Sequence, residues 1–141
     1  MTGITMRLKL RLPKNTISEL HSYAEQCLPS EAAALLFGRF SKDTVEVVKL
    51  ELVQNALKSS VGFEIDPEEE YRLIMEHEVH REEIVAIFHS HPAPPRPSAR
   101  DLENMRLNPV VWLIASRSSG VWESKAFHLQ GDKLHEIEVV Q

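Results

Sequence analysis

Cys27 is the only cysteine of the chain, so no intrachain disulfide can form and stability must come from packing. That usage suits a reducing compartment. Basic runs are also missing: Lys and Arg number 16 against 21 Asp and Glu, for a formal charge of −5. Nucleic acid is therefore not expected as a partner. No apolar run is long enough to cross a bilayer. The opening stretch 1–12 alternates Arg and Lys with apolar residues, where a signal peptide would need a continuous apolar core. These absences make a cytoplasmic protein without membrane contact the expectation. Repeats, low-complexity tracts and linkers are lacking too, and 141 residues, 43% of them hydrophobic, suit one domain over 1–141 with one sizeable core.

What is present reads as alternating strands and helices. Ile4, Met6, Leu8, Leu10 and Leu12 alternate with polar residues, as in a strand with one buried face, and Pro13 ends it. Asn15 or Thr16 is placed to cap a helix carrying Ile17, Leu20, Tyr23, Ala24 and Cys27. The stretch 31–40 is ambiguous. Its Ala-Ala-Ala-Leu-Leu favours helix, while its shortness and Gly38 allow a buried strand. Val45–Val53 reads as a strand, 55–60 as a polar loop and 61–65 as a short strand. Asp66-Pro67-Glu68-Glu69 opens a helix expected to reach about Glu82. Ile84–Phe88 has the length of a buried strand. Ser98 can open a third helix, stopped near Asn108-Pro109. Strands are then expected over 110–115, 121–129 and 134–140. The pattern predicts one mixed sheet with helices, an α/β or α+β fold.

Function concentrates at the end of the strand over 84–88. His89 and His91 are two residues apart, so on an extended chain both point one way and Ser90 the other. A loop stiffened by Pro92, Pro94, Pro95 and Pro97 leads to Ser98 and Asp101. Two imidazole nitrogens and one carboxylate oxygen are three of the four ligands of a tetrahedral zinc, the fourth place being left to water at catalytic sites. The bland reading is a hydrogen-bonded histidine pair beside a helix capping box at Ser98 and Asp101. Glu31 is the only charge between Leu28 and Gly38. Either it is buried and used, or it sits half-exposed at the mouth of its element.

The combination His89-Ser90-His91-Pro92, Pro97-Ser98-x-x-Asp101 and upstream Glu31-x-x-Ala34-x-Leu36-x-Gly38 resembles the JAMM (MPN-plus) zinc metalloproteases, in particular their short archaeal and bacterial single-domain members. Asn55 to Phe63 with Asp66-Pro67, and Val111 to Ser116, are similar to further family segments, so the likeness covers about residues 28–118. It implies a curved mixed β-sheet flanked by helices, a deaminase-like arrangement. It also implies zinc held by His89, His91 and Asp101, with Glu31 as general base and Ser98 as oxyanion donor. The implied reaction is hydrolysis after the Gly-Gly tail of a ubiquitin-like modifier, the extended tail pairing with a strand edge. Rivals are trimming of a sulfur-carrier protein or small peptide by the same chemistry, and a silent scaffold of the same fold. Two departures stand out: the His91-to-Asp101 loop is one residue shorter than is usual, and Ala34 stands where many members have Gly or Cys.

Other histidines read as bystanders. His77-Glu78-Val79-His80 has i, i+3 spacing where a zincin helix needs i, i+4, and on so charged a helix these side chains are expected to be solvated. His21, His128 and His135 read as surface or satisfied residues, Cys27 as packing, and Trp112 and Trp122 as core or groove wall.

Overall fold

A computed structural model describes residues 7–57 and 62–141. The described residues form seven strands and three helices: β1 (Lys9–Arg11), α1 (Thr16–Cys27), β2 (Ala33–Ser41), β3 (Thr44–Val53), α2 (Pro67–Glu78), β4 (Glu83–Ser90), α3 (Ala99–Leu107), β5 (Val111–Ser116), β6 (Glu123–Gln130) and β7 (Lys133–Val140). The strands form one mixed sheet in the order β1-β3-β2-β4-β5-β6-β7, curved until β7 meets β1. β4 and β5 run parallel, and β1 is parallel to both its neighbours. The other pairs are antiparallel. This is the curved mixed sheet expected.

The ambiguity over 31–40 resolves as strand. β2 lies between β3 and β4, and Ala33 to Gly38 are buried throughout. One face meets Leu20 and Ala24 of α1; the other meets Leu73 of α2 and Met105 of α3. A strand covered on both faces has no solvent face to alternate with, so it reads as a continuous apolar run. Helix propensity is a weaker term than that double burial. Gly38 sits at a bulge between β2 and β3, where a Cβ would run into the carbonyl of Glu46.

Several boundaries differ from expectation. Ile4 and Met6 of the first predicted strand lie outside the described residues, as does Val61 of the predicted strand over 61–65. The described part of the latter, 62–65, forms no strand, because the Asn55 side chain takes the Gly62 carbonyl and the Glu64 amide. α1 begins where predicted, but Asn15 makes no side-chain cap and adopts a left-handed φ of 72°, a region Asn tolerates better than most residues. α2 stops at Glu78, short of Glu82, because Arg81 turns left-handed (φ 59°) to feed β4. Its start is as read: Asp66 accepts from the Glu68 amide at 3.1 Å and Pro67 is the first residue. Among the described residues no helix is long and apolar enough to cross a membrane.

Candidate functional site

Three segments bring the predicted residues together. β4 pairs Ala33 with His89 in antiparallel register, which sets Glu31 across from His91. Ile87 faces α2 and α3 and His89 meets Asp101 of α3, whereas the Ser90 hydroxyl turns away and accepts from the Ala32 amide at 2.9 Å. His91 extends the ladder through its amide to the Ala115 carbonyl, 3.0 Å away. The proline loop then returns the chain to Ser98, the N-cap of α3, where a full capping box forms. The Ser98 hydroxyl accepts from the Asp101 amide at 3.1 Å, and Asp101 Oδ2 accepts from the Ser98 amide at 2.9 Å.

That box aims the other Asp101 oxygen at His89. Oδ1 lies 3.1 Å from His89 Nε2 but out of line for a hydrogen bond, so this fully buried nitrogen has no hydrogen-bond partner. The opposite nitrogen, Nδ1, meets Glu31 Oε1 at 3.1 Å. Glu31 is 5% exposed, so the half-exposed reading fails. Burial disfavours charge on His89, yet the flanking carboxylates, Asp101 and then Glu31, outweigh it and hold the ring's pKa up at about 9. Burial likewise works against ionised Asp101, but His89 and the Ser98 bonds prevail and hold it below the ordinary carboxylate value. The two carboxylates thus make a pocket of negative potential around one imidazole.

His91 is less well gathered. Its Nε2 lies 3.9 Å from Asp101 Oδ2 and 2.8 Å from the Arg96 carbonyl, and its Nδ1 lies 3.1 Å from the Ala93 carbonyl. Both nitrogens therefore face acceptors, and a neutral ring can donate to only one of them. Among the described residues, no three His, Cys, Asp or Glu side chains stand ready to hold a metal ion. The donor chemistry nonetheless fits zinc. Two ligands of a tetrahedral zinc stand about 3.3 Å apart, close to the 3.1 Å between His89 Nε2 and Asp101 Oδ1. The His91 donor stands farther out: its Nε2 is 3.9 Å from the other Asp101 oxygen, Oδ2, which the Ser98 amide already holds. An unpartnered buried nitrogen beside a carboxylate is where a cation would be welcome.

Aromatic residues complete the surroundings. Phe63 stacks on His89 with centroids 4.9 Å apart, and Trp112 meets its edge at 5.8 Å. Phe63, Ile65, Ile87, Trp112, Asn104 and Asn108 line a groove of about 170 Å³ beside this stack. Trp112 is both core and groove wall. Reading by residue type gave Phe63 and Asn55 no role. The available signal was their place in a family-like segment, which carries no geometry.

Most bystanders behave as read, with two corrections. His128 is half-buried and its Nδ1 is buried without a hydrogen-bond partner among the described residues, so it is neither a surface nor a satisfied residue. His77 is not solvated. It is 7% exposed, stacks on Phe37 at 3.9 Å, and lies 2.7 Å from both Glu51 Oε2 and Glu82 Oε1. Its position on the inner face beside Leu73 outweighs the charged character of the helix. His21 is satisfied by Ser124 Oγ at 2.7 Å.

Comparison with known proteins agrees with this architecture. Residues 13–129 match the family described as prokaryotic homologs of the JAB domain. A desampylase of Pyrococcus furiosus is 41% identical over 112 residues, 78% of this chain and 75% of that protein. A desampylase of Haloferax volcanii is 29% identical over 141 residues, 99% of this chain and 98% of that one. The solution structure of a Desulfitobacterium hafniense protein superposes with a TM-score of 0.81 at 31% identity, covering 93% of this chain and 91% of that one. One from Salinibacter ruber reaches 0.69 at 22% identity, covering 95% and 91%, a likeness of fold alone. With its motif, its curved sheet and a match over most of its length, the chain belongs to the prokaryotic JAB-domain branch of the JAMM/MPN family.

Proposed function

We propose that this chain, acting as one domain over 1–141, is a zinc-dependent isopeptidase that cleaves after the C-terminal Gly-Gly tail of ubiquitin-like modifiers. The desampylase names of its relatives support the substrate class. The observation that carries the chemistry is the buried His89 ring held between Glu31 and Asp101 at 3.1 Å on either side. His89, His91 and Asp101 would hold the metal, with His91 giving up the Arg96 carbonyl. Zinc bound there would acidify water and polarise the scissile carbonyl.

The remaining work falls to the chain's own groups. Glu31 takes the proton of the attacking water and passes it to the leaving amine. Its contact with His89 Nδ1, on the far side of the ring from the Nε2 that faces Asp101, fixes the ring's tautomer and orientation, and to act as base the carboxylate turns from that nitrogen to the water. Ser98 is suited to donate to the developing oxyanion: its oxygen accepts from the Asp101 amide, which leaves the hydroxyl proton to give.

The test incubates zinc-loaded protein with modifier conjugates, with and without chelator, read by mass spectrometry. Cleavage after Gly-Gly that stops with chelator is expected; chelator-insensitive cleavage, or none, would refute the proposal. Glu31→Gln should keep zinc and lose turnover, since the amide oxygen can still accept from His89. Glu31→Ala should in addition weaken zinc by about 10- to 100-fold, measured by competition with a chromophoric chelator.

A further inference from the structure

The geometry points to Asn55 as a positioning residue for this site, an inference that rests on the reading of Glu31 and His89 above. Asn55 follows β3 and is 8% exposed. Its Nδ2 donates to the Glu31 and Gly62 carbonyls, and its Oδ1 accepts from the Leu57 and Glu64 amides, each at 3.0 Å. An asparagine amide has two donors and two acceptor places, and all four are used. The Ala56 amide donates to the Glu64 carbonyl at 2.7 Å, which closes the neck of the loop beside it.

The bonds inside the loop alone would describe a loop staple. The bond to Glu31 does more, because it reaches 24 residues back to the backbone of the general base. On the other side Asn55 holds Gly62 and Glu64, the two neighbours of Phe63. Glu31 contacts the edge of His89, and Phe63 covers its face. One buried amide therefore sets both the carboxylate and the aromatic ring that restrain the same imidazole.

Asn55→Asp is the sharp probe. It keeps the acceptor for Leu57 and Glu64 but replaces the donor with an oxygen facing two carbonyls. Asn55→Ala removes all four bonds, and Leu20→Ala, a core truncation in α1, is the control for lost stability. With zinc loaded and a fluorogenic isopeptide ending in Gly-Gly as substrate, both Asn55 variants should lose kcat by on the order of 100-fold with KM little changed. Leu20→Ala, assayed equally far below its own melting temperature, should keep wild-type kcat. Wild-type kcat in Asn55→Ala overturns the assignment, as does an equal loss in Leu20→Ala.

The imidazole nitrogen NMR signals of His89 give a readout independent of turnover. They should move in both Asn55 variants and stay in place in Leu20→Ala. If wild-type protein cleaves no conjugate, the proposed activity fails but the positioning does not, and unmoved His89 signals in Asn55→Asp then overturn the positioning itself.

Discussion

At the scale of single residues, two buried histidines illustrate one environment put to different uses. His77 and His89 each lie between two carboxylates. At His77 both nitrogens are bonded and Arg39 lies 3.9 Å from Glu82, so the cluster is complete and ties α2 to β3 and to the entry of β4. Burial opposes its charge, yet Glu51 and Glu82 raise its pKa above the ordinary 6.5. A group whose pKa is raised on folding stabilises fully below its unfolded value and loses that contribution as pH climbs through the folded one. Urea midpoints should therefore fall as pH rises from about 6.5, with His89 contributing beside His77, and His77→Gln should make that fall shallower. An identical slope in the variant would remove His77 as one of its sources. The local sequence separates the two histidines by motif but hides their shared environment, since each takes one of its two carboxylates from 26 or 58 residues away.

At the scale of elements, the start of α3 carries two functions on one hydroxyl. Ser98→Ala removes an N-cap acceptor, which costs about 1 kcal/mol of stability, and in the proposed reaction also removes an oxyanion donor, worth on the order of 3 kcal/mol in the barrier. Kinetics and thermal unfolding separate the two: kcat should fall by about 100- to 1,000-fold while the melting temperature drops modestly. Ser98→Thr keeps both groups and should restore both; a kcat deficit in Thr equal to that in Ala would count against the donor role. The elements themselves were legible where end signals are chemical, as in Asp66-Pro67 and the Ser98 box. They were less legible where tertiary burial decides. Ala33 to Gly38 carries no periodicity because both its faces are covered. The stretch 62–65 looks like a strand, but a side chain 55 residues into the chain takes its backbone partners.

At the scale of the whole molecule, the donor set was legible as residue types and the arrangement was not. His89, His91 and Asp101 lie on one short run, but their distances depend on register, on the helix cap and on carbonyls of the proline loop. Glu31 joins them through the pairing of β2 with β4, which begins two residues on, and through the Asn55 bond to its carbonyl. The sheet that holds them closes on three residues. Leu10, at 0% exposure, is the middle of β1, which bonds to β3 on one side and β7 on the other. Leu10→Ala should cost about 2–5 kcal/mol. Amide exchange should accelerate along that seam in β3 and β7 before it does in β4 and β5. Uniform acceleration would mean that β1 is no special seam.

That seam also orders events during synthesis. Folding proceeds as the chain emerges, N-terminal portions first, yet β1 awaits a partner more than a hundred residues downstream. By the time Ser116 leaves the ribosome, Glu31, His89, His91 and Asp101 are all outside it and β2, β4 and β5 can pair. β1 at that moment still has one row of unpaired backbone groups. In a crowded polysome this interval is the one in which a neighbouring nascent chain can add to the bare edge in place of β7.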